Sequence, residues 1–141
     1  MKWIALCAAL LVPRQEADER KKKEEAVKKR LQELFELCRK DEHEKAAPYF
    51  VYRKDDKARR WKDVYDFSKD EEKKEVVELC KRIKALLKEY EGFEFGRFLV
   101  EKESEGEWCV IEVIFKKAEK RKKNSFAFLR IRDAYCLGDI D

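Results

Sequence analysis

The last third of the chain carries three apolar runs, and these constrain the fold more than any other feature. The runs cover residues 92–101, 107–116 and 125–135, and short polar turns separate them at 102–106 and 118–124. Apolar stretches joined by short polar turns are typical of antiparallel hairpins. Because helical patterns precede the runs, the sequence predicts an α+β domain in which N-terminal helices pack on a curved antiparallel sheet.

The segments before the sheet have the apolar spacing of amphipathic helices. Residues 17–39 repeat apolar side chains three and four positions apart, which predicts one helix with a single apolar stripe. A short second helix is predicted after Asp41, its candidate N-cap, with Pro48 ending it early. The sequence Ser-Lys-Asp-Glu at 68–71 predicts a capping box that opens a third helix, and Gly92 follows as its stop.

The composition bounds the function classes. The 141 residues contain 35 Lys and Arg against 31 Asp and Glu, a net charge of +4. Such a near-balance, with both signs mixed along the helices, describes an ion-paired surface, so nucleic acid is not an expected partner. One histidine and five cysteines without C-x-x-C spacing predict no metal site, and no cofactor is predicted. No linker divides residues 17–141, which we interpret as a single domain.

The N-terminus has two interpretations. Lys2 precedes an apolar run at residues 3–12, and a charged stretch follows Pro13, a pattern that resembles a short signal peptide. The run is too short to cross a bilayer as a helix. Residues 1–16 are therefore read as a signal peptide or an N-terminal extension. Export or a cell-envelope location is favoured over the cytoplasm, and any membrane contact would be made through this segment.

The apolar faces of the last two runs predict a strand register. Matching their wholly apolar sets makes one face dry and places Glu112 opposite Arg130. The other face is then amphipathic, and an apolar sheet face of this kind usually meets a helix, a second subunit or a partner. The candidate interface, which could serve a homodimer through the sheet, consists of Trp108, Val110, Ile114, Phe126 and Phe128.

The order of these elements resembles the nuclear-transport-factor-two-like superfamily, a group of cystatin-like α+β cones. The residues that carry the resemblance are 41–52, 106–113 and the closing 125–141. Within the superfamily the chain is most similar to small exported bacterial proteins of unknown function, often lipoproteins. The resemblance implies a cone with a pocket between the helices and the concave sheet face, and dimers through the sheet. Enzymatic members place carboxylates or histidines in that pocket, whereas the inward set here is aliphatic and aromatic.

The predicted pocket suits a mainly apolar small molecule, because ligand pockets are largely hydrophobic with few placed polar groups. Arg97 alternates with apolar residues and is the candidate polar anchor, although a register slip of one residue would send it to solvent. A cavity filled by side chains, with a structural or dimerising role, is the alternative. The predicted lining consists of Phe50, Trp61, Phe95, Arg97, Ile111, Val113, Phe115, Leu129 and Ile131.

A basic and aromatic cluster lies between the second and third helices. Arginine forks suit carboxylate or phosphate, so the cluster is a candidate anion clamp at the pocket mouth. The alternative is that its cations pair with four nearby aspartates, which would make the cluster structural. The candidate clamp residues are Arg53, Arg59, Arg60 and Lys62.

These observations predict a non-catalytic domain that binds a small molecule or another protein, and they assign no catalytic residue. The alternative is an isomerase-like or dehydratase-like enzyme. Such an enzyme requires a buried carboxylate with a raised pKa in the pocket, and Glu94 and Glu112 are the candidates.

Overall fold

The fold consists of three helices followed by a four-stranded antiparallel meander. The computed structural model describes the backbone of residues 2–141 and the side chains of residues 15–141. The elements are α1 (Lys2–Arg39), α2 (His43–Ala46), a 3₁₀ turn (Ala47–Tyr49), α3 (Asp70–Glu89), β1 (Gly92–Glu103), β2 (Gly106–Lys117), β3 (Lys120–Ile131) and β4 (Ala134–Ile140). The strands pair in the order β1-β2-β3-β4, and the helices pack on one face of the curved sheet. The α+β prediction is confirmed.

The sheet has one strand more than the three apolar runs indicate. The polar stretch predicted as a long turn at 118–124 is mostly strand, because Lys117 pairs with Lys120 across a tight turn at Ala118. The third run divides at a second tight turn, where Arg132 has a φ of 57°. Left-handed residues close short hairpins, and neither turn carries the glycine or asparagine that usually marks one. The sequence therefore indicated the first turn but not its short length, and gave no sign of the second.

The helix ends differ in part from prediction. Helix α1 ends at Arg39 as expected, but Asp41 has a φ of 57° and does not cap α2, whose N-cap is Glu42. The prediction of a capping box at 68–71 is wrong, since α3 begins after Lys69 without a side-chain cap. Ser68 Oγ donates instead to Asp66 Oδ1, at 2.7 Å. Of the predicted signal segment, residues 1–14 lie outside the described side chains.

The inner core fills the space between the helices and the sheet. Phe35 of α1 stands edge-on to Phe93 and Phe126, with ring centroids 5.2 Å and 5.7 Å away, and Phe115 lies 6.3 Å from Phe35. Cys38 and Cys80 are fully buried in the same core, where a free thiol behaves as a small apolar side chain. Each fully buried phenylalanine stabilises the fold by about 1.5–3 kcal/mol relative to an exposed one.

The strand register corrects the predicted pairing. Glu112 lies opposite Ser125, and Arg130 lies opposite Tyr135, so the two charged residues are not partners. The tight turn at residues 118–119 sets this register, and a shift of one residue exchanges the faces of a strand. Phe126 and Phe128 consequently face the helices, where their large rings fill the core, while Ala127 and Leu129 face outward.

A second, smaller core lies on the outer face of the sheet. It consists of Val51, Trp108, Leu129, Ile131 and Cys136, with Trp61 packed against it. The connection between the 3₁₀ turn and α3, residues 50–69, wraps round the β4 edge to reach this face. Phe50 forms a parallel bridge with Leu137 of β4, and Val51 bridges Val64 within the connection. Part of the outer face is thereby covered, and the rest is open.

Candidate functional site

The structure places the predicted pocket residues on two faces of the sheet. Phe50, Ile111, Val113 and Phe115 are at most 1 % exposed in the inner core, and Phe95 packs at its margin. Trp61, Leu129 and Ile131 belong to the outer core instead. Arg97 also faces outward, with a side chain 73 % exposed. The nine residues therefore do not line one common space.

The predicted interface residues are divided in the same way. Trp108, Val110 and Ile114 share the outer face, whereas Phe126 and Phe128 are buried against the helices. The open part of the outer face is centred on Leu99, Val110 and Ala127, which lie side by side on β1, β2 and β3. We call these three residues the outer strip. Among the residues that the structure describes, Leu99 is the one large hydrophobic side chain that is exposed, at 37 %.

Charges of opposite sign flank the outer strip along the strands. Glu101 and Glu103 of β1 form an acidic end, and a shallow cavity of about 400 Å³ extends from them across the strip. Arg97 lies on the other side of Leu99 along β1, and beyond it the outward residues Lys116, Arg121 and Lys123 extend the basic end. Glu94 and Glu112 lie among these four cations, which leaves a net charge of +2, so the face runs from acidic through apolar to net basic.

A β-bulge in β1 holds Arg97 and Glu112 together. The register shifts between Phe95 and Phe98, and the Arg97 backbone N–H donates to Glu112 Oε1 at 3.0 Å. The Arg97 guanidinium and Lys123 Nζ lie 3.4 Å and 3.6 Å from the same carboxylate. Gly96 makes room for this carboxylate, because a Cβ there would lie 3.1 Å from both Cβ and Oε1 of Glu112.

The two candidate carboxylates of the enzyme hypothesis have lowered pKa values. The hydrogen bond from the Arg97 backbone, with the Arg97 side chain second, lowers the pKa of Glu112. A hydrogen bond from Lys116 lowers the pKa of Glu94. Both groups lie on the outer face and stay ionised, whereas a general acid in a pocket requires a raised pKa. Neither residue meets the requirement of the enzyme hypothesis.

The candidate clamp residues do not converge. Arg59 donates to Glu72 through both terminal nitrogens, at 2.8 Å and 3.0 Å, and its Nε donates to Asp63 at 2.9 Å. Its guanidinium also lies 4.2 Å from the centre of the Tyr52 ring. Arg59 therefore fixes the connection 50–69 to α3. Arg60 and Lys62 are turned to solvent or to Trp61.

Arg53 takes a different direction and reaches the edge of β4. Its Nη1 donates to Gly138 O at 2.6 Å and lies 3.3 Å from Asp139 Oδ1. It lines a cavity of about 340 Å³ between α3 and the C-terminal half of β4. We call this space the edge cavity. Other residues that line it, and that the sequence did not indicate, are Lys54, Tyr65, Glu75, Leu79 and Arg82.

The edge cavity has no signal in the sequence because the residues of its walls are distant in the chain. Arg82 lies beside the apolar stripe of α3, and its Nη2 donates to Ile140 O at 3.1 Å, across 58 positions. Lys54 pairs with Glu75 at 3.1 Å. The parallel bridge of Phe50 to Leu137, together with the hydrogen bonds from Arg53 and Arg82 to carbonyls of β4, brings these segments together.

Within the described residues, no helix is long and apolar enough to cross a membrane, and no group of three or more acidic, histidine or cysteine side chains could hold a metal ion. Comparisons with known protein families, curated proteins and solved structures found no match to this chain.

Proposed function

We propose that the protein is a non-catalytic interaction domain that associates with a second copy of itself through the outer face of its sheet. The observation that carries the proposal is the outer strip, which exposes Leu99 between an acidic and a basic end. Contiguous apolar surface rimmed by charge is typical of an association site.

The charge order makes this face complementary to itself. In a twofold dimer both subunits use the same patch. If the axis lies in the interface and runs across the strands, Leu99 meets the Leu99 of the other copy. Glu101 of each copy then faces Arg97 of the other, since these residues flank Leu99 on opposite sides along β1. Complementary rim charges set the orientation and the association rate more than the affinity.

The area available predicts a modest dimer. Strands β1, β2 and β3 have 12 residues each. At about 3.3 Å per residue and 4.8 Å between strands, they span roughly 550 Å² in plan, which is an upper limit because the connection 50–69 covers part of this face. A standard interface buries about 800 Å² per partner, and smaller ones are transient. We therefore expect association that depends on concentration in the micromolar to millimolar range.

We also propose that the chain is a member of the nuclear-transport-factor-two-like superfamily. Support comes from the order of helices followed by a curved meander, and from the short segment at Phe50 that joins the sheet beside its last strand. A fold of this kind hosts many functions and implies no activity.

The test is sedimentation velocity across that concentration range with charge-swap variants. Glu101→Arg and Arg97→Glu should each weaken the dimer, and the double variant should restore it, because the swap exchanges the two charges without removing their attraction. Leu99→Glu should abolish the dimer, and Lys57→Glu, on the exposed connection, is the control. A protein that stays monomeric at millimolar concentration, or swaps that fail to rescue each other, would overturn the proposal.

A further inference from the structure

We propose that the edge cavity is a binding site for a small organic monocarboxylate with a short apolar body. The cavity lies at the β4 edge between α3 and the connection 50–69, away from the outer strip, so this inference goes beyond the proposed dimer. Its volume of about 340 Å³ is at the small end of ligand pockets.

One wall of the cavity offers an unused hydrogen-bond donor. Tyr65 is 4 % exposed, and its hydroxyl oxygen accepts from the Arg53 backbone N–H at 3.4 Å. Within residues 15–141 the hydroxyl proton is donated to no acceptor. Burial raises the pKa of Tyr65 to about 12, so the hydroxyl keeps its proton at neutral pH. The hydroxyl proton is therefore available to an acceptor atom that enters the cavity.

Helix α3 supplies a second lining group, the guanidinium of Arg82, which has no acidic partner in the described part of the chain. Arg82 uses Nη2 for the Ile140 carbonyl, and an arginine carries five N–H donors in a planar fork. The remaining donors of that fork suit a carboxylate. Hydrogen bonds between a carboxylate and an arginine are among the strong ones in proteins, because both groups are charged.

The balance of charge favours a monoanion. Three cations, Arg53, Lys54 and Arg82, line the cavity together with two carboxylates, Glu75 and Asp139. Arg53 is held by Asp139 and Lys54 by Glu75, which leaves a net charge of +1 associated with Arg82. A dianionic phosphate ester would exceed that charge. The apolar part of the ligand would lie against Leu79 and the buried side chain of Phe50.

The experiment is a titration of the full ¹⁵N-labelled chain with phenylacetate, followed by amide chemical shifts. Its matched control ligand is phenylacetamide, which has the same shape and no charge. We expect saturable shifts confined to the β4 end, residues 50–54 and the middle of α3. Phenylacetamide should bind about tenfold more weakly, since a hydrogen bond to a charged group contributes roughly that factor or more. Benzoate and hexanoate test other apolar bodies.

Variants locate the site. Tyr65→Phe removes only the hydroxyl, and Arg82→Gln removes the charge while keeping most of the packing, so each should weaken phenylacetate binding about tenfold. Arg82→Lys, which keeps the charge without the fork, should fall between. Arg130→Gln, on the exposed surface of β3, should have no effect.

Several outcomes would overturn this proposal: no shifts with any of the three carboxylates, equal affinity for acid and amide, an equal response to inorganic phosphate, or affinity unchanged by Arg82→Gln and Tyr65→Phe. Circular dichroism checks that the variants are folded. Because the shifts are read whatever the oligomeric state, failure here leaves the dimer proposal intact, and a monomeric protein leaves this one intact.

Discussion

The two faces of the sheet belong to the same strands, yet they are covered to different extents. The inner face packs against α1 and α3 in a core of 24 buried residues among those described, and the outer core contains five. The inner core is sealed by amphipathic helices. The outer core is sealed only by the connection 50–69 and leaves the outer strip open. The difference separates the face that stabilises the fold from the face available for binding.

The largest expected effect on stability comes from a substitution in the inner face. Phe126 is fully buried between α1 and β2, and Phe126→Ala should lower the free energy of unfolding by about 3–5 kcal/mol. Val110→Ala, on the half-exposed outer strip of the neighbouring strand, should cost less than about 1.5 kcal/mol. Urea unfolding measures both. Equal losses would show that the two faces contribute alike to the free energy of unfolding.

The ion pair of Arg59 with Glu72, which joins the connection 50–69 to α3 and which we call the brace, should give the next largest effect. Glu72 is 5 % exposed, and Glu72→Gln removes the charge that Arg59 binds, at a cost of about 2–3 kcal/mol at neutral pH. The Arg59 hydrogen bond lowers the pKa of Glu72, so the stabilisation is present above the usual glutamate pKa and is lost as the pH falls through the lowered one.

Acid unfolding curves check the sign of this linkage. Glu72→Gln should flatten the loss of stability below about pH 4.5 relative to the parent protein. Glu71→Gln, an exposed neighbour on the same helix, is the control and should leave the acid limb unchanged. An unaltered acid limb in Glu72→Gln would mean that the brace does not couple stability to pH.

A third substitution tests how tightly the outer core is packed. A Cβ on Gly138 would lie 2.6 Å from two ring atoms of Trp108, so Gly138→Ala must displace the indole and should cost about 1–3 kcal/mol. Gly92→Ala meets nothing within 4 Å and should change stability little. Thermal unfolding together with tryptophan fluorescence separates the two. A harmless Gly138→Ala would indicate a loose outer core.

The smallest expected effect comes from a substitution in the β1 bulge, beside the outer strip. Gly96→Ala brings a methyl group 3.1 Å from the Glu112 carboxylate, which must shift by a few tenths of an ångström. We expect a loss of about 1 kcal/mol and amide shifts confined to the bulge in β1. Shifts that spread into α1 would show that the bulge is coupled to the inner core.

The sequence by itself determined the class of fold. Spacings of three and four in residues 17–39 and 76–90 give α1 and α3, because a helix with one apolar stripe must bury it. The apolar runs after Gly92 give the meander by the same argument applied to strands. Both signals are local, so they survive without knowledge of the partner surface.

Only the tertiary structure decided which side chains share a face and which share a cavity. Two tight turns without a glycine signal set the register that turns Phe126 inward and Leu129 outward. The edge cavity exists because Phe50 bridges Leu137, which brings the connection with Tyr65 to β4, and because Arg82 of α3 reaches the Ile140 carbonyl. A register shift of one residue moves every side chain of a strand to the other face of the sheet, and contacts between distant segments produce no periodic pattern in a sequence. For these physical reasons the fold could be predicted from the sequence and the sites could not.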